Sequence, residues 1–303
     1  MTAPRFVPPL LALACGPGLV AIVARTKARM AGRVGPPLAQ PYRDLVKLFR
    51  KGAVYGATTT WLFRAGPIVG FATAAVAAAL VPFGGLAAPL AFPGDLLLLA
   101  YVLALGRFFA VLAALDTGSS FEGMGASREA SLAVFTEPAL VLALVALARL
   151  GGTLSLSAML AGVGPAAWAA AAPALALLVA ALLVVFLAEN GRLPVDDPTT
   201  HLELTMIHEV MVLDHGGPDL ALVGWGAAVR LWTFGALLVG LAVPVRTGDP
   251  WVDAAAALGG MVALGVLTGL VESSMARLRL RHVPQLLLGA AVLSVLALFL
   301  VLR

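Results

Sequence analysis

The sequence predicts an all-α integral membrane protein. It has about eight transmembrane helices in a single domain spanning 1–303, plus an interfacial amphipathic helix and a buried inner-loop helix. Three observations predict this. First, 61% of the 303 residues are hydrophobic and only 12% are charged; the charged share is about half that of a soluble domain. Mean hydropathy is +0.99, and one soluble core cannot hide that much apolar surface. Second, aromatic residues make up only 7%. The apolar mass is Ala, Leu, Val and Gly, which suits close-packed helices better than the alternating strands of a barrel. Third, the apolar runs recur at the length of a bilayer span. A water-soluble enzyme, a disordered tail and a nucleic-acid-binding domain are excluded, so no nucleic-acid partner is expected.

A bilayer core takes roughly 17–25 apolar residues per helix. Eight runs qualify: 6–24, 67–83, 95–114, 131–149, 166–188, 219–243, 253–271 and 284–302. The first is read as a retained helix and not a signal peptide. No small-residue cleavage site follows it, and Arg25, Lys27, Arg29 and Arg33 do. An even number of spans places both termini on one side. The connections after spans one, three, five and seven hold fourteen of the twenty basic residues, and the opposite side holds four. This positive-inside bias predicts a bacterial or archaeal cytoplasmic membrane protein with both termini outside and the long polar loops in the cytoplasm.

The first inner loop contains Gly32-Arg33-Val34-Gly35-Pro36, then Gln40-Pro41-Tyr42-Arg43-Asp44-Leu45-Val46-Lys47-Leu48-Phe49-Arg50-Lys51. Leu38, Tyr42, Leu45, Val46, Leu48 and Phe49 fit one helical stripe, and Arg43, Lys47, Arg50 and Lys51 fit the other face. That is an interfacial amphipathic helix. It serves either as a basic anchor on lipid headgroups of the bilayer or as a docking surface for a partner subunit through Arg33, Arg43, Lys47, Arg50 and Lys51.

The second inner loop, 116–131, is Gly-rich but follows no strand, so a nucleotide loop is rejected. Glu137 lies in the next span, just before Pro138. A carboxylate at membrane depth marks an ion or proton route by default. Its rival role is a structural ion pair, with Arg107 and Arg230 as the candidate partners inside spans.

The third inner loop carries the most chemistry. Asp197 suits an N-cap with Pro198 at N1, and Gly216 suits a C′ position before Pro218, so a helix is expected over 198–215. Its apolar positions point in all directions, which predicts a protein-buried helix near the inner boundary. Glu203, Glu209, Asp214, His201, His208 and His215 lie on it. The histidines are seven apart and share one face, but roughly 10 Å along the axis separates neighbours, too far to share one ion. No metal site is expected. A row of titratable groups for proton transfer is the sharper reading, and histidines satisfied by backbone carbonyls the blander one. Cys15 is the only cysteine, so any iron–sulfur or NiFe centre must sit in another subunit.

These motifs resemble a known family. Gly32-Arg33-Val34-Gly35-Pro36 with Gln40-Pro41, and Ala188-Glu189 through Arg192, Pro194 and Asp196, resemble the inner loops of the respiratory complex I subunit 1 family. The stretch from Pro194 to Glu209 differs from the quinone-reducing branch. It is similar to the membrane subunit of formate hydrogenlyase and other energy-converting group 4 NiFe hydrogenases. The resemblance implies a non-catalytic membrane subunit beneath a cytoplasmic hydrogenase module. Large and small hydrogenase subunits and a ferredoxin-like subunit would be partners there, with antiporter-like subunits in the membrane. The NiFe centre and iron–sulfur clusters would belong to those partners. Arg192, Asp196, Glu203, His208 and Glu209 would line a cavity or proton route, with Glu137 beneath. The rivals are a quinone-binding subunit of a complex I-like dehydrogenase and a stand-alone secondary transporter; the transporter lacks the repeated halves expected of it.

Overall fold

The computed structural model describes residues 5–196 and 206–303. Its helices are α1 (Val7–Met30), α2 (Gln40–Phe49), α3 (Trp61–Leu80), α4 (Asp95–Asp116), α5 (Ser120–Gly151), α6 (Leu156–Gly162), α7 (Pro165–Glu189), α8 (Gly217–Ala242), α9 (Pro250–Ser274) and α10 (Val283–Leu302). Among the described residues, eight helices are long and apolar enough to cross a membrane, all but α2 and α6. All eight predicted spans are therefore present.

The bundle is organised around α8, the most buried of the spans. Helices α1, α3 and α9 pack on it, α4 lies along α3, and α10 lies along α5 and α7. Small residues allow this closeness, as expected where lipid offers no hydrophobic drive between helices. A Cβ at Gly16 would lie 2.8 Å from the Ala228 carbonyl oxygen of α8, and one at Gly269 2.6 Å from Thr26 Cβ of α1.

Pro17 shapes the join between α1, α2 and α8. Proline has no N–H, so the Leu13 carbonyl one turn earlier loses its helical donor. Trp225 Nε1 of α8 donates to that oxygen at 2.9 Å. Tyr42 Oη of α2 donates to the next carbonyl, Ala14, at 2.6 Å. Unpaired backbone carbonyls are costly in hydrocarbon, so these two side chains fasten α2 and α8 to α1 where the sequence needs donors.

Two elements depart from the sequence reading. Helix α5 begins at Ser120 and not near residue 131, giving 32 residues, about 48 Å at 1.5 Å per residue. The segment expected to be a Gly-rich loop is helical because its polar groups are paired across the interface with 206–215. Glu122 Oε1 accepts from the Asp214 amide at 3.0 Å, and Arg128 donates to the Met206 carbonyl at 2.8 Å.

The second departure is the inner loop itself. It is buried as expected, but its described part holds only a 3-10 turn, Glu209–Val212. In a continuous α-helix the amides of Ile207 and His208 would point to carbonyls one turn back. Here both donate to Asp196 Oδ2, at 3.2 and 3.1 Å. Gly216 is not the C′ residue; it is extended and begins α8 as its N-cap. Asp197, Pro198, His201 and Glu203 lie outside the described residues.

Candidate functional site

Arg107 is the hub of the site. It lies in the middle of α4, between spans that supply three carboxylates. Its Nε donates to Glu129 Oε1 at 3.0 Å, one terminal nitrogen donates to Glu189 Oε1 at 2.5 Å, and the other pairs with Glu137. Glu129 and Glu137 are two turns apart on α5, and Glu189 is the last residue of α7. Arg230 of α8 adds its charge to Glu129 and Glu189. A guanidinium cannot lose its proton at this depth and offers five donors, so it can hold several carboxylates at once.

The cluster continues through the inner loop. Glu129 divides its oxygens: Oε1 faces Arg107, and Oε2 lies 3.2 Å from His208 Nε2. The other imidazole nitrogen, Nδ1, lies 3.2 Å from Asp196 Oδ2. Asp196 Oδ1 in turn accepts from Arg277 at 2.9 Å. The result is one connected path, Arg277–Asp196–His208–Glu129–Arg107–Glu137, from the loops after α7 and α9 to mid-span.

The charges explain how His208 titrates. Two guanidiniums face three carboxylates around Arg107, which leaves one negative charge that a proton on His208 cancels. Burial opposes that proton, but Glu129 and Asp196 outweigh it and raise the imidazole above its ordinary value. Burial also works against the Asp196 carboxylate, yet the hydrogen bonds and charge of His208, with Arg277 behind, hold it below the usual range.

Gly191 makes room for this contact. It adopts φ +56°, and a Cβ there would lie 2.8 Å from His208 Nδ1. A side chain is excluded twice, by backbone strain and by the ring.

The sequence-predicted residues divide as follows. Asp196 and His208 are in the path. Glu137 ends it, with 46% of its side chain still exposed at the bundle surface. Arg192 belongs to a second, adjoining group, where Glu272 takes Arg192 at 3.3 Å and Lys27 at 2.9 Å. Glu209 opens the 3-10 turn, half-buried. Glu203 lies outside the described residues.

Of the expected row, His201 lies outside the described residues, and His208 and His215 do not line up. His215 is far from the path, stacked on Phe63 at 4.0 Å between ring centres, where burial lowers its basicity despite Asp219 and Asp214. The reason is the loss of the continuous helix that would have aligned it with His208.

Sequence reasoning gave no site role to Glu129, Glu189, Glu272, Lys27 or Arg277. The available signal for the first two was their place at the ends of long apolar runs.

Comparison with known proteins gives a consistent result. The profile of the family described as NADH dehydrogenase matches residues 7–302. The chain is 32% identical to formate hydrogenlyase subunit 4 of Escherichia coli (strain K12), covering 91% of each chain. It is 33% identical to hydrogenase-4 component C of the same organism, covering 92% of this chain and 90% of that one. It is also 33% identical to a subunit of the NADH-quinone oxidoreductase of Thermomicrobium roseum, over 59% of this chain and 60% of that one. In fold it resembles a chain of the membrane-bound sulfane sulfur reductase, an archaeal respiratory membrane complex. That match has a TM-score of 0.80 at 21% identity, covering 97% of this chain and 99% of the other.

Proposed function

The chain belongs to the NADH dehydrogenase family, and from that premise we propose that it is the non-catalytic membrane subunit of a formate hydrogenlyase-like hydrogenase complex. It anchors a cytoplasmic NiFe hydrogenase module and couples that module's turnover to movement of protons or another ion through the membrane. Two relatives matched over nine-tenths of the chain carry hydrogenase or hydrogenlyase names. Iron–sulfur clusters are held by Cys thiolates, and one cysteine does not fit such a group. The redox centres are assigned to partner subunits.

The observation that carries the coupling role is the division of Glu129 between His208 and Arg107. A proton on His208 Nε2 passes to Glu129 Oε2 across 3.2 Å. The N–H bond breaks, the O–H bond forms, and the imidazole becomes neutral while keeping its Nδ1–H toward Asp196. Arg107 then faces two charged carboxylates, Glu137 and Glu189, in place of three, until Glu129 gives the proton up again. Movement of the inner loop, which carries His208, opens or closes this path. A redox module seated above that loop therefore has a lever on protons inside the bundle.

Purification from membranes in mild detergent tests the reading. A nickel- and iron-containing hydrogenase module should co-purify with the chain. Co-purification with a quinone reductase in its place would support the quinone-binding alternative.

A further inference from the structure

The α2 face that looks away from the bundle is unusual for its mixture of chemistries. Ala39, Tyr42, Arg43, Val46, Lys47, Arg50 and Lys51 line an open cavity of about 510 Å³. At about 100° per residue, Tyr42, Val46 and Ala39 form an apolar band, and the four cations follow it around the same side. Among the described residues, none of these cations takes part in an ion pair. Asp44, the one acid of α2, borders the cationic side next to Lys51 and accepts from Gln40 Nε2 at 2.8 Å.

The depth of this face follows from its attachments. The end of α2 abuts the start of α8: a Cβ at Gly217 would lie 2.6 Å from the Gly52 carbonyl oxygen. Phe49 sets its ring edge to Trp225 at 6.3 Å. Trp61 begins α3 at the same end of the bundle with 69% of its surface exposed, as expected of an aromatic at the headgroup level. Helix α2 therefore lies along the inner edge of the bilayer, with Val46 and part of the Tyr42 ring exposed beside the cations while the Tyr42 hydroxyl is tied to α1.

We infer that this face binds an anionic phospholipid of the inner leaflet. Arg43, Lys47, Arg50 and Lys51 hold the phosphodiester, and an acyl chain covers Tyr42 and Val46. An acidic protein surface would match the cations but leave the apolar band without apolar cover. A phospholipid supplies both chemistries in the order in which the helix presents them.

The test uses the complex purified from membranes, stripped of lipid, then given phosphatidylglycerol or phosphatidylcholine and read by native mass spectrometry. The intact complex should retain phosphatidylglycerol in preference to phosphatidylcholine, and inorganic phosphate should not compete. The combined variant R43Q/K47Q/R50Q/K51Q should weaken phosphatidylglycerol binding by at least about tenfold, with complex abundance unchanged because these side chains are exposed. Lys47→Arg and Lys51→Arg together should preserve binding, and Val46→Ser should weaken it for phosphatidylglycerol but leave phosphate discrimination intact. Unchanged lipid binding in the combined variant overturns the inference. So does loss of the cytoplasmic module with lipid binding intact, which would make the face a protein-docking surface.

Discussion

His208 Nε2 lies 3.2 Å from Glu129 Oε2, joining the loop before α8 to a carboxylate on a membrane span. The raised imidazole gives this contact a pH dependence with a definite sign. Its stabilisation is fully present below the ordinary histidine value of 6.5 and is lost as pH rises through the higher folded value. Asp196 acts oppositely: its contribution holds above 3.8 and is lost as pH falls through its lowered value. The 206–215 segment should therefore be held most firmly in weak acid and loosen on the alkaline side. Hydrogen exchange at the Ile207 and His208 amides, corrected for intrinsic rates, should show this, and His208→Gln should flatten it. The same alkaline loosening in that variant would remove His208 as the cause.

Glu129→Gln keeps the shape of the side chain and removes its titration. The complex should assemble, and its hydrogenase module should still reduce a soluble dye. Membrane-linked turnover should fall by about tenfold or more, as for loss of a positioned proton-transfer group. Glu203→Gln and Glu209→Gln should show the same split if both acids belong to the route. Wild-type membrane-linked rates in all three, at equal complex abundance, would defeat the relay.

Arg107→Met should be far more damaging than any single carboxylate change. It removes the one guanidinium hydrogen-bonded to Glu129, Glu137 and Glu189 and leaves buried Glu189 with only the more distant charge of Arg230; breaking a buried pair costs about 3–5 kcal/mol. The chain should disappear from the membrane fraction, and Arg107→Lys should restore only part of it. Pairing Arg107→Met with Glu129→Gln and Glu189→Gln should recover abundance, because the uncompensated charge goes with them. An Arg107→Met protein as abundant as wild type would show that the carboxylates have other partners.

Gly191→Ala should displace His208 without replacing any titratable side chain. The positive φ and the ring 2.8 Å from the new Cβ both oppose it, and strain of this kind is worth about 1–3 kcal/mol. The pH dependence of exchange at His208 should weaken in parallel. An unchanged profile would mean that the loop accommodates the methyl group.

The orientation is testable by cysteine labelling in a Cys15→Ser background. Val54→Cys lies in the first inner loop at a residue 85% exposed, and Ala91→Cys lies at the opposite end. In intact cells an impermeant reagent should label the second and spare the first. The reverse pattern would invert the topology.

The spans were legible because hydrocarbon forces each one to be a continuous apolar run with its backbone bonds internal. Asp196 and His208 were legible as chemistry because polar residues stand out in so apolar a chain. Their geometry was not. Arg107 meets Glu129 across 22 positions and Glu189 across 82, and no local period encodes such a pairing. The 198–215 helix was expected from caps and apolar content, yet Asp196 captures two amides that such a helix would use. Tertiary hydrogen bonding overrode local propensity there. In α5 the same force worked in reverse and turned a Gly-rich stretch into helix.

The vacancy that Pro17 creates in α1 sets a schedule for biogenesis. The Leu13 oxygen finds its donor in Trp225, 212 positions later. When the ribosome has delivered α1 to the membrane, that donor has not yet been synthesised. The nascent chain must carry an unmet acceptor while α3, α4, α5 and α7 insert, sheltered by water or by the insertion machinery. The donor arrives with α8, so α1 is completed by a helix made much later in the chain.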